Sequence, residues 1–339
     1  MLKNYINKLI RKENLTASEC QQAVTLMLHT ENVPQASAFM TLLHAKPETS
    51  EEIIGMVQAM QQQMHLVKVD CAVLDIVGTG GDNANTINIS TAAAILAASC
   101  GVKIAKHGNR SVSSLCGSAD VLEELGVNIN LTAGQVAACI DQVGIGFCYA
   151  PLFHPALAKL KTIRSELSIP TTFNLLGPLL NPAQPEYVMI GVFSEHYVET
   201  IADVLAHLNF KKALVFHGAG LDEISCIAKI KVIEITAAKN HEYYIDPEEY
   251  GLPLCRVEDL RGGSAKENAV ILQEILSGKS GPIADTLILN AGVATYLYGI
   301  TASISKGVEL AKTNLKLGKA KEILRQLVEQ TQSFHKVLS

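Results

Sequence analysis

Tryptophan is absent from this chain of 339 residues, and so is any run of basic side chains. With 28 Lys and Arg against 33 Asp and Glu, the formal net charge is −5, and nucleic acid is a poor candidate partner. No stretch approaches the roughly 20 apolar residues a membrane span needs. The opening "MLKNYINKLIRKENL" alternates polar and apolar residues at helical spacing and lacks the continuous apolar core of a signal peptide. A soluble, cytoplasmic protein is expected, with no membrane partner. Cysteine is present but scattered, at positions 20, 71, 100, 116, 139, 148, 226 and 255, with no Cys-x-x-Cys pair and no close Cys/His cluster. That usage argues against a disulfide frame and against zinc. Also missing are an internal repeat, a low-complexity linker, a Gly-x-Ser-x-Gly nucleophile and a Cys with a nearby His. Chemistry here must rest on binding and positioning.

What is present divides along the chain. Residues 1 to about 68 read as helices only: Thr16-x-x-Glu19 and Thr49-x-x-Glu52 are capping boxes, and Pro34 suits a first helical turn. From "CAVLDIVG" onward, short apolar runs ("VKIAKHG", "IGFCYAP", "YVMIGVF", "KALVFHG") alternate with helical patterns. Such alternation predicts βαβ units and a mostly parallel sheet flanked by helices. The patterns 264–278 and 283–299, with the segment from Ser303 to about Gln332, supply the last covering helices. The length exceeds what one core usually fills, so a second, smaller unit is expected.

The loops after the strands carry the unusual residues. "DIVGTGGDNANTINIST" joins a buried strand to an alanine-rich helix through three glycines, a geometry in which backbone N–H groups and the helix start can receive an anion. It is neither a dinucleotide fingerprint, since Asn83 stands where the third glycine belongs, nor a Walker loop, since no Gly-Lys-Ser/Thr follows. "KHGNRSVSSLCGSAD" brings Lys106, His107, Asn109 and Arg110 together with Ser111, Ser113, Ser114 and Ser118, a dense set of phosphate and carboxylate donors. In "FHGAGLDEIS", Asp222 and Glu223 are hard oxygen ligands suited to Mg²⁺ beside a phosphate, although taken alone an acidic pair is more often a solvated loop. A helix from about Pro155 to Leu167 carries Arg164, whose plain alternative is a surface charge paired with a neighbouring Glu. His154 and His217, taken alone, read as structural histidines. "NLLGPLLNP" stays apolar while breaking helices, which suits a packed turn between domains.

Together, "GTGGD" with "NIST", "KHGNRSVSSLCGSAD", Arg164 ahead of "FNLLGPLLNPA", "HGAGLDEIS" and "GGSAKENAVILQEILSGKSGP" closely resemble the anthranilate phosphoribosyltransferase family of tryptophan biosynthesis, nearly end to end. The resemblance implies a nucleoside phosphorylase/phosphoribosyltransferase-like architecture. Residues 1–68, joined by about 165–186, form the helical domain, and 69–164 with 187–339 form the α/β phosphoribosyl-binding domain. It implies that 5-phosphoribosyl 1-diphosphate lies on Gly78, Gly81, Asp82, Thr86, Asn88, Ile89, Ser90 and Thr91, with Lys106, His107, Gly108, Asn109, Arg110, Ser111, Ser113, Ser114 and Ser118 opposite. Gly78, Asn109 and Arg164 match residues that contact anthranilate, with His107 and His154 near its path, and Ser90, Asp222 and Glu223 match positions that hold two Mg²⁺ ions. No residue is assigned as acid, base or nucleophile, because the aromatic amine of anthranilate attacks as a neutral lone pair. Departures are Asn83, where a small residue is common, and "RSELSIPTT" with Ser165 and Pro170, which is less basic than usual after the key arginine.

Two other readings stay open to test. A pyrimidine nucleoside phosphorylase would share the fold but would not need Asp222-Glu223, nor Arg164 for a carboxylate. A nucleic-acid-binding relative requires a basic groove and would be retained on heparin at moderate salt. Finally, a helical block this small, with apolar runs such as "FMTLL" and "EIIGMV", is expected to cover them in a homodimer interface, and the resemblance points the same way.

Overall fold

The computed structural model describes residues 1–82, 84–111, 115–208 and 210–336. Ser113 and Ser114, assigned above to the second loop, lie outside the described residues, as does Asn83. The chain begins with four helices, α1 (Leu2–Ile10), α2 (Ala17–His29), α3 (Val33–Ala45) and α4 (Ser50–Gln61). Both expected capping boxes start helices: Thr16 and Glu19 bond each other's backbone at α2, and Thr49 and Glu52 do the same at α4. Glu52 does more than cap, because its fully buried carboxylate also meets Lys46 Nζ at 2.6 Å and the Leu15 N–H at 2.9 Å, tying the α3–α4 turn to the α1–α2 turn.

The rest alternates as the apolar runs imply: β1 (Leu74–Gly78), α5 (Ile89–Ser99), β2 (Ile104–Gly108), α6 (Ser118–Glu124), α7 (Ala133–Val143) and β3 (Ile145–Tyr149). Three helices follow, α8 (Ala150–Phe153), α9 (Pro155–Leu167) and α10 (Phe173–Leu176), before β4 (Tyr187–Gly191), α11 (His196–His207) and β5 (Lys212–His217). A hairpin of β6 (Ile230–Thr236) and β7 (Asn240–Ile245) comes next, then α12 (Ala265–Leu276), α13 (Pro282–Tyr298), α14 (Ile304–Lys316) and α15 (Lys319–Lys336). The seven strands form one sheet in the order β3-β2-β1-β4-β5-β6-β7; the first five are parallel and the last two antiparallel. The β6–β7 hairpin is absent from the sequence reading. The final helical segment also differs, since it breaks into α14 and α15 at Gly318, whose φ of +70° no continuing helix adopts.

Strand alternation sorts two cores. Leu214 and Phe216 of β5 join the core under α5 and α13, whereas Ala213 and Val215 face the core that continues through α11 into α1–α4. This corrects one expectation. Phe39 and Met40 of "FMTLL", and Ile53 and Met56 of "EIIGMV", are buried within the chain itself, because α9, α10, α11 and one sheet face cover the helical block. Its exposed apolar side chains are others, among them Ile10, Leu26 and Val33.

Candidate functional site

Order reverses between β1 and β4, which leave the sheet centre in opposite directions of connection, and crevices at such points hold ligands in open α/β sheets. β1 and β4 end in register on Gly78 and Gly191. The paired glycines make a slot: a Cβ on Gly78 would run into Asp222 Oδ2, and one on Gly191 into the Asp222 carbonyl. Into that slot falls the 218–223 turn, so the sheet itself aims the acidic pair at the glycine loop.

The loop after β1 turns through Gly80 and Gly81 in the left-handed region, with φ of +70° and +91°. Asp222 Oδ2 accepts from the Gly80 N–H at 2.6 Å, and Thr79 ties the loop to β4 by donating its N–H to Gly191 O at 2.9 Å. Thr86 bridges Arg261, and Asn88 caps α5 by position while its amide donates to Cys116 O and its Oδ1 accepts from Asn268. Ile89 and Thr91 are buried in the first turn of α5, and the Ser90 backbone between them eases the burial of the Glu223 carboxyl. So Gly78 to Thr91 and Asp222-Glu223, expected on separate loops, meet at one place.

Burial raises the Asp222 carboxyl to about 7, with the charge of Asp82 adding to it, and holds Glu223 well above the carboxylate range, with Asp222 adding. Crowded acids of this kind fit a cation. Among the described residues no three His, Cys, Asp or Glu side chains form a metal cage. Two carboxylates with a shell completed by water and phosphate oxygens is the habit of Mg²⁺. Lys106, in the middle of β2, is buried and donates to Ile76 O at 2.6 Å; burial lowers its pKa, opposed by Asp75, Glu223 and Asp222.

On the far side of β2, the His107 and His154 rings lie 5.2 Å apart. His107 Nδ1 is 3.2 Å from the Gly177 carbonyl, to which it can only donate, so Nε2 is left as a buried acceptor with no partner among the described residues. Burial lowers His107 to about 3, helped by His154, and lowers His154 to about 4. Both rings are neutral at ordinary pH.

The second loop is organised by a residue the sequence reading passed over. Asp120 Oδ2 accepts from the Ser111 N–H at 3.0 Å and the Gly117 N–H at 2.9 Å, while Ser118 Oγ donates to Asn109 O at 3.2 Å, beside Gly108. Arg110 is engaged by Asp120, Glu123 and Tyr149. Asp75 and Asn181 were equally unread: the Asn181 amide donates to Asp75 Oδ2 and to Ala105 O, both at 2.7 Å, clamping the 173–183 turn onto β1 and β2. A lone Asp inside an apolar strand run was the available signal. Arg164 meets Asn174 Oδ1 at 3.0 Å and lies 5.9 Å over the Phe173 ring, with no Glu among its partners in the described residues, which speaks against the surface ion-pair alternative. His217, by contrast, is the structural histidine expected, with Nδ1 2.7 Å from Val192 O.

A helical block on an α/β sheet, with an anion loop and an acidic pair at the switch point, is the arrangement of a glycosyl transferase family whose models match here: the helical bundle domain over residues 3–64 and the a/b domain over 70–321. Within it, the chain is 46% identical over 333 residues to the anthranilate phosphoribosyltransferase of Chlamydia felis, covering 98% of this chain and 97% of that protein. The solved anthranilate phosphoribosyltransferase of Thermus thermophilus superposes with a TM-score of 0.91 at 38% identity, covering 96% of this chain and 99% of that one. The enzyme of Saccharomyces cerevisiae in complex with PRPP and Mg superposes at 0.89 with 30% identity, and in complex with 4-fluoroanthranilate at 0.87 with 29%, each covering 98% of both chains. The chain belongs to the anthranilate phosphoribosyltransferase family.

Proposed function

We propose that this enzyme transfers the phosphoribosyl group of 5-phosphoribosyl 1-diphosphate to the amine of anthranilate, releasing diphosphate, a pentosyl transfer in tryptophan biosynthesis. The observation that carries the reading is the slot made by Gly78 and Gly191, which brings Asp222 against the Gly80 N–H and so joins a cation site to an anion loop. The diphosphate and ribose are assigned to Gly78, Gly81, Asp82, Thr86 and Asn88 to Thr91, with Lys106 to Ser111 and Ser118 across from them. Breaking the C1–O bond leaves oxocarbenium character on the ribose and charge on the departing diphosphate. Lys106 and the loop N–H groups stabilise that growing charge. Ser90, Asp222 and Glu223 would hold Mg²⁺, two ions on this reading, and the metal would supply Lewis-acid neutralisation of negative charge there. His107 and His154, which burial makes weak bases, line the amine side without taking its proton, and Asn109 and Gly78 border the same space.

Arg164 is assigned to the anthranilate carboxylate, because its fork can meet both oxygens in two parallel hydrogen bonds. A charge-assisted contact is worth about 1.5–3 kcal/mol, so Arg164→Ala should weaken anthranilate use roughly ten- to hundred-fold and leave the KM for phosphoribosyl diphosphate nearly unchanged. Anthranilate fluorescence followed with and without phosphoribosyl diphosphate tests the reaction, and varying each substrate in turn tests the residue. No loss of fluorescence with the wild type would reject the function. Equal losses toward both substrates would make Arg164 a structural support.

The residues 1–68 with 165–186 are assigned to a helical domain, and 69–164 with 187–339 to the α/β domain. Contact of α9 with α2 and α3 supports starting the joining segment earlier, near Pro155. A homodimer in the cytoplasm completes the proposal.

A further inference from the structure

Glu48 stands in the turn between α3 and α4, with a side chain only 2% exposed. No ammonium or guanidinium meets it among the described residues. Its Oε1 accepts from Thr172 Oγ1 at 2.9 Å and lies 2.8 Å from His44 Nδ1, while Tyr197 OH of α11 approaches Oε2 at 3.5 Å. A buried carboxylate held by donors from three parts of the chain is costly to form and costly to disturb. What it grips is informative. Thr172 is the residue before α10, its carbonyl accepts from the Leu175 N–H at 3.0 Å, and the next two residues are Phe173 and Asn174. Those two meet Arg164: the ring lies beneath its guanidinium and the Oδ1 receives Nη2.

We propose that Glu48, a residue of the helical block, is a positioning residue for the acceptor substrate: by fixing Thr172 it fixes the start of α10, and through Phe173 and Asn174 it sets the direction of the Arg164 fork. The proposal rests on the assignment of Arg164 to the anthranilate carboxylate. Its energetic logic is preorganisation. An arginine free to rotate must be ordered when substrate arrives, whereas one already seated on an aromatic ring and an amide is not. The path from Glu48 through Thr172, Phe173 and Asn174 to Arg164 contains none of the residues assigned to the diphosphate, so the effect should fall chiefly on anthranilate.

Thr172→Val keeps shape and removes the donor; Thr172→Ser keeps the donor and loses a methyl; Glu48→Gln removes the charge. With folding checked by circular dichroism, Thr172→Val and Glu48→Gln should each raise the anthranilate KM about tenfold, with the KM for phosphoribosyl diphosphate within about twofold of wild type. Thr172→Ser should restore most of the affinity, and the Thr172→Val, Glu48→Gln double variant should be little worse than Thr172→Val alone, because both act on the same contact, the first by removing its donor and the second by removing the charge on its acceptor. An unchanged anthranilate KM in Thr172→Val, equal rises for both substrates, or a Thr172→Ser variant as impaired as Thr172→Val would overturn the proposal. Wild type and Arg164→Ala run alongside separate the two levels. A wild type that leaves anthranilate unconsumed, or an Arg164→Ala variant with normal anthranilate KM, removes the reading beneath; a normal response from those two with an indifferent Thr172→Val removes the Glu48 role alone.

Discussion

His107 and His154 show what burial does to a single side chain. Their folded values, about 3 and about 4, lie below the 6.5 or so of an unfolded histidine, so in between the unfolded chain binds protons that the folded one refuses. Their contribution to stability is complete above pH 6.5 and is lost as pH falls toward 4. Asp75 works in the opposite sense: burial raises it to about 6, so the folded chain holds a proton the unfolded one lacks between about 4 and 6, and acidification there favours folding. A difference between variants isolates one group. Urea unfolding of His154→Asn should lose less stability between pH 7 and pH 5 than wild type does, by about 2 kcal/mol. Parallel pH curves would show that the ring does not titrate as its burial implies. The same scale marks where the sequence was hardest to read. Glu48, Asp75, Asp120 and Asn181 take their meaning from partners scattered along the chain: Thr172 for Glu48, Asn181 for Asp75 and Ser111 for Asp120. No periodicity carries such information, whereas Asp222 and Glu223 could be singled out because they are adjacent and follow two glycines.

Among the elements, the parallel strands were legible because burial on both faces makes them continuous apolar runs bounded by glycine. α9 begins and ends where its proline and the residue before Pro170 direct, at Pro155 and Leu167. The hairpin was not legible, for a reason visible in β7: "NHEYYI" is an edge strand with exposed Asn240, His241 and Glu242, and it has no buried face strong enough to announce it. The glycine pair at the ends of β1 and β4 gives the test at this scale. Gly78→Ala should cut turnover tenfold or more and weaken the response to added Mg²⁺, since the new methyl displaces Asp222. Gly134→Ala in α7, where a Cβ meets nothing within 4 Å, should leave both untouched. Steady-state turnover across a magnesium titration compares the two, and a Gly78→Ala enzyme with normal metal response would mean that the slot does not set the acidic pair.

For the whole molecule, the helical block hides its main apolar runs against α11 and the sheet, so self-association must use what is left outside, such as Ile10, Leu26 and Val33. Light scattering at micromolar concentration should return twice the chain mass, and a monomer mass would reject the homodimer. The two-part architecture itself was foreseeable from the pattern along the chain, helices first and alternation after. The continuity of the second core across both parts was not, because it depends on which face of β4 and β5 the helices choose.

The strand order has a consequence for how the chain is made. β1 needs β2 on one side and β4 on the other, and its Leu74 pairs with Tyr187, so a nascent chain carries one bare edge of its central strand until β4 has emerged from the ribosome. Asp222 follows later still. The slot at Gly78 therefore cannot close before residue 222 has emerged, and chains stalled before residue 187 display an unpaired apolar strand, the kind of surface that chaperones meet and that aggregates recruit.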